Sequence, residues 1–273
     1  RLYHEDPLPR IQLTCDEANA GGGERLMFVD HEFPVHEKCS IHVAADEDKR
    51  VECIPGVITS SNCRDFQKDP RRVKRIGHFI DKAKRSGGRW MWVRGSSMKH
   101  CSLFSESTKS VDPRNVLQGK VGNCGFCSGF ASIAAGWPDM LIDAFGESSG
   151  TSLSKYGAVS ILIYPRGQPR YLLMDDFILC KDDTEEADND DDRQTSSPSM
   201  HSLLGSDLWV RLLEKAYVKI QGSYASLDGY YKYNSLYRHP ARALQLLTGA
   251  AVALEVHYST SDIDMIYNIL AAE

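Results

Sequence analysis

The chain has 273 residues, of which 42% are hydrophobic and 25% charged, with a formal net charge of −5. That length can bury a sizeable core, as one large domain or two small ones, and the mild acidity gives no general nucleic-acid signal. No stretch of about 18 apolar residues exists, so no membrane-spanning helix is expected.

Residues 1–25 are polar, carry Pro7, Pro9 and the triplet Gly21-Gly22-Gly23, and read as a flexible N-terminal arm. The chain begins at Arg1 without Met or a signal peptide, which reads as a processed product or, preferably, a cut-out piece. From 26 to 57 short apolar pieces alternate with turns. Residues 62–85 then place Phe66, Val73, Ile76, Phe79 and Ile80 on one face of a helix that closes at Gly87-Gly88. Its basic run, from Arg71 to Arg85, reads as a solvated face, because no aromatic residues alternate with the charges.

Residues 118–135, QGKVGNCGFCSGFASIAA, carry the chemistry. From Gly125 the apolar positions Phe126, Phe130, Ile133 and Ala134 fall at helical spacing, and Gly136 supplies a stop. This puts Cys124 at a helix N-terminus, where unpaired backbone N–H groups and the positive end of the helix dipole favour a thiolate over a thiol. Gln118 lies six residues upstream across the turn. Its side-chain amide and the Cys124 N–H are the pair of donors that an oxyanion hole requires.

Further on, the alternating run 158–164 and the apolar run 171–179 flank Pro165-Arg166-Gly167-Gln168-Pro169, a hairpin signature. Residues 181–199 read as a disordered insertion, since eight residues between Asp182 and Asp192 are acidic and repel one another. A calcium-buffering role is the alternative, although the spacing fits no EF-hand loop. A helix is expected over 207–220, capped by Ser206, with an apolar stripe through Leu208, Leu212, Leu213, Ala216, Tyr217 and Ile220. A shorter helix is expected over Pro240–Leu247, started by Pro and stopped by Gly249, and a last one opens near Ser261. Eight scattered cysteines, Cys15, Cys39, Cys53, Cys63, Cys101, Cys124, Cys127 and Cys180, are read as reduced thiols of a cytoplasmic protein.

Gln118-Gly119-x-x-Gly122-x-Cys124 resembles the active-site turn of the calpain-family, papain-like cysteine proteases. The ordered landmarks 26–30, Phe33-Pro34, 90–94, Tyr156-Gly157, Asp175-Asp176, 205–209, 212–217 and 247–249 extend that resemblance over nearly the whole chain from about residue 26. It implies an α+β fold, the left lobe of a papain-like protease built around the Cys124 helix with a small antiparallel hairpin. It also implies that 26–260 are the first subdomain of the protease core and 261–273 the start of a connector to a second. The implied activity is hydrolysis of internal peptide bonds in protein substrates through a thioester at Cys124. Gln118 would help hold the oxyanion, and Gly122 and Gly229 would line the substrate cleft. The partner His and Asn would come from the second subdomain, in Gly-His-Ala and Asn-Pro-Trp contexts that are absent here; His78 and His257 are read as surface or core residues instead.

The family's calcium site would fall on the side chains of Asn115 and Asp207 with backbone carbonyls near Thr108 and Ser110. Asn115 stands where the family has Asp, which removes one formal charge and predicts weaker binding; Asp207 is read equally as an acid at a helix start. Gly125 follows the cysteine where the family has Trp, and Asp228-Gly229-Tyr230-Tyr231 stands where it has Gly-Gly. These departures support an alternative, a catalytically inactive scaffold or regulatory module. A second rival is a thioredoxin-like oxidoreductase using Cys124-Gly125-Phe126-Cys127, although no strand run shortly precedes that motif.

Overall fold

A computed structural model describes residues 2–20, 27–30, 32–33, 89–98, 101–104, 111–146, 153–182, 198–202, 207–221, 224–227 and 240–251. The helix expected over 62–85, the last helix near Ser261, Ser206 and Gly229 lie outside these residues. Among the described residues the arrangement is α+β. Strands β1 (Leu2–Tyr3), β3 (Ala158–Ile163) and β4 (Arg170–Asp175) form an antiparallel sheet in the order β1-β4-β3, while β2 (Arg89–Arg94) pairs antiparallel with β5 (Phe177–Asp182). Helices α1 (Leu8–Asn19), α2 (Cys124–Gly136), α3 (Pro138–Ala144), α4 (Trp209–Gln221), α5 (Tyr224–Leu227) and α6 (Pro240–Thr248) complete it.

The hairpin forms where its turn chemistry put it. Between β3 and β4, Arg166 and Gly167 both take positive φ, 56° and 74°, and the register sets Val159 opposite Met174 and Ile161 opposite Leu172. With a period of two, those residues and Ile163 face the main core. Ala158 and Leu173 face the other way, onto Leu8. Strand β3 is therefore covered on both sides, which explains its near-continuous apolar sequence.

The expectation of a loose arm over 1–25 is corrected for its described part, 2–20. Strand β1 extends the sheet against β4, and α1 buries Leu8 under it. The two prolines that suggested an irregular arm instead sit at the start of a helix, Pro7 as the capping residue and Pro9 in the first turn, where a missing N–H costs nothing. Asp6 accepts from the Leu8 N–H at 3.0 Å, and further along α1 the Asp16 carboxylate accepts from Tyr156 Oη and from Lys155 Nζ.

Three boundaries also move. The run 171–179 is two strands in different sheets, because the chain turns a corner at Asp175-Asp176. The acidic insertion is shorter than 181–199: Lys181 and Asp182 still pair with β2, and Ser199, fully buried, donates from Oγ to Leu179 O at 3.1 Å, leaving 183–197 outside the described residues. Helix α4 begins at Trp209, two residues after Asp207, since the Leu208 and Trp209 amides are taken by Ser102 O and Leu103 O. Leu208, Leu212, Leu213, Ala216 and Tyr217 are buried as the stripe predicts, whereas Ile220 is exposed.

The corner is held by ions. Lys215 Nζ, on α4 and fully buried, donates to Asp175 Oδ1, to Asp175 O at 2.8 Å and to Phe177 O at 2.7 Å, which uses all three ammonium hydrogens. Asp176 accepts from Arg94 Nη1 at 2.7 Å and from the Ser96 N–H at 2.8 Å. One turn along α4, Lys219 Nζ donates to Asp30 Oδ2 at 2.6 Å and to Leu173 O at 2.7 Å.

Removing one partner of a buried pair strands the other charge in the core, which costs about 3–5 kcal/mol. Lys215→Ala is therefore expected to lower the unfolding free energy by that order in guanidinium melts. The exposed pair Lys155–Asp16 is the control, and Lys155→Ala should leave the melt midpoint unchanged.

Candidate active site

Helix α2 begins at Cys124 and ends at Gly136, as its residue spacing requires. One face packs tightly: Phe126 lies with its ring centroid 4.0 Å from Tyr217 of α4 and 4.3 Å from Phe130. On another face Gly129 lets α6 approach so closely that an added Cβ would sit 2.8 Å from Ala243 Cβ and from Pro240 O. The helix is thus fixed at both flanks, and its first residue inherits that rigidity.

The turn before it alternates between core and surface. Val121 and Asn123 are buried while Cys124 is exposed. The Asn123 carbonyl accepts from the Phe126 and Cys127 amides at 2.8 and 3.0 Å, which closes the first helical turn. Its side chain does not cap the helix; Nδ2 donates inward to Glu214 Oε1 at 2.6 Å. Segment 198–202 lies alongside, with Leu117 and His201 exchanging backbone bonds of 2.9 and 3.0 Å and the Val121 N–H donating to Pro198 O at 3.1 Å. Gln118 Nε2 donates to Val121 O at 2.7 Å, so one of its two amide hydrogens braces the turn.

The remaining predicted residues divide. Gly122 lies in this turn, half-buried. Asn115 and Asp207, 92 residues apart in sequence, are brought together: both are buried, and Asn115 Nδ2 donates to Asp207 Oδ2 at 2.9 Å. Thr108, Ser110 and Gly229 lie outside the described residues, as do His78 and His257. Among the described residues no imidazole bonds Cys124; His201 is buried with Nδ1 3.4 Å from Ser199 O, and its pKa is lowered by burial and then by Arg211.

Cys127 is a core residue. Its Sγ lies 3.4 Å from Asn123 Oδ1, and burial, followed by the nearby Glu214 charge, pushes its thiol well above the usual range. That opposes its use as the second thiol of a redox pair, which has to reach the surface and ionise.

Asn123 and Glu214 are the residues that sequence reasoning missed. Glu214 is fully buried on α4 and accepts from the Asn123 amide through Oε1 and from the Met200 N–H through Oε2, the latter at 3.0 Å. Burial pushes its carboxyl up to about 8, opposed by those two hydrogen bonds and by Arg211. The sequence hid Glu214: at about 100° per residue Glu214 and Lys215 fall off the stripe of Leu208, Leu212, Leu213, Ala216, Tyr217 and Ile220 and read as solvent-facing, whereas both are fully buried and each needs a buried partner.

Residues 65–271 match the family described as calpain family cysteine protease. The chain is 23% identical over 260 residues to the calpain-type cysteine protease DEK1 of Arabidopsis thaliana, covering 93% of this chain and 9% of that protein. It is 23% identical over 220 residues to calpain-12 of Homo sapiens, covering 80% and 26%. Against DEK1 of Zea mays the identity is 30% over 128 residues, covering 46% and 5%. The chain thus spans a small part of the length of these relatives.

A carboxyl whose folded pKa is raised above its unfolded value binds its proton more tightly in the native state. Its contribution to stability is complete below the unfolded pKa of about 4.5 and is lost as pH rises through about 8. Glu214→Gln removes that dependence. The difference in Tm, variant minus wild type, should therefore grow by several degrees between pH 5 and pH 8.5 in thermal melts followed by circular dichroism.

Proposed function

Because the chain belongs to the calpain family of cysteine proteases, we propose that it is the cysteine-bearing left lobe of an endopeptidase whose nucleophile is Cys124. The observation that carries this reading is a single exposed sulfur at the first residue of a rigid helix, in a turn whose neighbours Val121 and Asn123 are buried. A thiolate there attacks the scissile carbonyl carbon, forming a C–S bond as the carbonyl electrons move to oxygen. The Cys124 N–H and the second Gln118 amide hydrogen donate to that oxyanion. An imidazolium then protonates the leaving amine as the C–N bond breaks, leaving a thioester. The imidazole takes a proton from water, which displaces the thiol and releases the new carboxyl end.

The imidazole and its orienting Asn would come from a second subdomain, as the family resemblance implies, and residues 1–273 alone should turn over little or no substrate. The substrate is an extended peptide, with Gly122 and Gly229 allowing its backbone to approach. A reducing, cytoplasmic setting suits a chain whose Cys15, Cys101, Cys124, Cys127 and Cys180 are free thiols. Among the described residues no helix is long and apolar enough to cross a membrane.

Calcium is the implied activator. Asp207 and Asn115 are hydrogen-bonded to each other, so a carboxylate and an amide oxygen could serve one ion, and the family resemblance would add backbone carbonyls near Thr108 and Ser110. The amide N–H now faces the carboxylate at 2.9 Å, so that binding has to break this bond and turn the amide. One carboxylate in place of two also lowers affinity. Asn115→Asp is expected to tighten calcium binding by about tenfold, read by isothermal titration calorimetry.

The test of the main reading is labelling of the full-length protein, second subdomain included, with calcium, by a peptidyl epoxide followed by peptide mapping. One adduct at Cys124, in preference to the other seven cysteines and lost in Cys124→Ala, supports the protease. The second reading, an inert scaffold, is favoured by Gly125, which places no aromatic ring beside the sulfur. It predicts no adduct at Cys124.

A further inference from the structure

Among the described residues no side chain is hydrogen-bonded to Cys124, so its position depends on what holds the preceding residue. Asn123 could have capped α2 by accepting from an N–H of the first turn, the usual role of Asn at that position. It does not: the side chain is buried and directed away from the helix start toward α4. There Glu214 takes the amide hydrogen with one carboxylate oxygen and the Met200 N–H with the other. The carboxylate thus ties the residue before Cys124 to the segment that runs beside its turn.

We propose that Glu214 is a positioning residue for Cys124 and acts through Asn123. The proposal rests on Cys124 being the nucleophile and adds how the fold aims it. A hydrogen bond buried away from water has no solvent competing for its partners, and this one is attached to the backbone unit that precedes the sulfur. Without it the Asn123 side chain has only the Cys127 thiol within hydrogen-bond range, a weak donor at 3.4 Å. The turn then loses its fixed relation to α4, and the sulfur its fixed relation to the N–H groups of the first helical turn. Other ionisable groups also bear on Glu214: Arg211 one turn earlier on α4, Cys127 from α2 and Tyr224 from α5. None of them is bonded to Asn123 through a carboxylate, so the link is specific to position 214.

The experiment is a double-mutant cycle on the rate of Cys124 alkylation by iodoacetamide, with the modified residue read by peptide mapping in the whole chain. Asn123→Ala and Glu214→Leu are each expected to slow alkylation by about tenfold, the rate equivalent of one such hydrogen bond. The double variant should be no slower than the slower single one, because both remove the same link. Glu214→Gln, whose oxygen can accept from the Met200 N–H while its amide N–H donates to Asn123 Oδ1 once the Asn123 amide turns over, should recover most of the rate lost in Glu214→Leu. Rates within about twofold of wild type in Asn123→Ala, or multiplying losses in the double variant, overturn the proposal. Should Glu214→Leu fail to fold, Asn123→Ala decides alone. The wild-type rate set against that of glutathione tests the protease reading separately, because the cycle is read from ratios.

Discussion

The buried ammonium of Lys215 is the contact on which the rest of the molecule depends. It sits where the chain leaves one sheet at Asp175 and enters the other at Phe177, and it accepts no alternative partner because its three hydrogens go to Asp175 and Phe177. Burying a charge is costly unless every hydrogen is bonded. Here the cost selects one geometry for the corner, and the corner sets the relation between the β1-β4-β3 sheet and the β2-β5 pair. Arg94 repeats the device from the other side. It donates to Asp176 and to Phe28 O and lies with its guanidinium 4.1 Å from the centre of the Phe177 ring.

The same helix reaches the reactive cysteine by a different chemistry. Facing the sheets, α4 offers cations, Lys215 and Lys219, to the carboxylates of Asp175 and Asp30. Facing the cysteine turn it offers a carboxylate, Glu214, to an amide. An amide is a weaker and more adjustable partner than an ammonium, but it brings no charge close to the sulfur. The sheet corner is thus locked by full charges, whereas the active turn is held by hydrogen bonds to one buried carboxyl group.

How far the sequence foretold this depends on the kind of signal. The α2 boundaries and the β3–β4 turn were legible because glycine, proline and residue spacing act locally, within a few positions of the feature they specify. The N-terminal segment was misread for the same reason: prolines look like breakers until their place in the first helical turn is known, and the strand partner of β1 is some 170 residues away. The division of 171–179 into two strands depends on Lys215 and Arg94, neither of which is a neighbour in sequence. For the site, Cys124 and Gln118 were singled out by the glycine-broken turn and the helix spacing, Asn115 and Asp207 by resemblance alone. Asn123 and Glu214 carry no motif, and only the burial of Glu214, off the apolar stripe in sequence, reveals that it has to be bonded to something.

Asn115 and Asn123 bracket the loop that delivers Cys124, and both donate an amide hydrogen to a carboxylate associated with α4, Asp207 just before its start and Glu214 within it. Those acceptors are seven residues apart in sequence, one just before α4 and one within it. The loop is therefore fixed at two points, with the same polarity at each. A single attachment would allow it to pivot; two remove that freedom. The rigidity of the cysteine turn then follows from α4, and α4 is in turn held by Lys215 and Lys219 against the sheet corner. An exposed sulfur can keep a defined position without any side chain touching it, because the constraint is supplied from beneath, through the backbone on its N-terminal side.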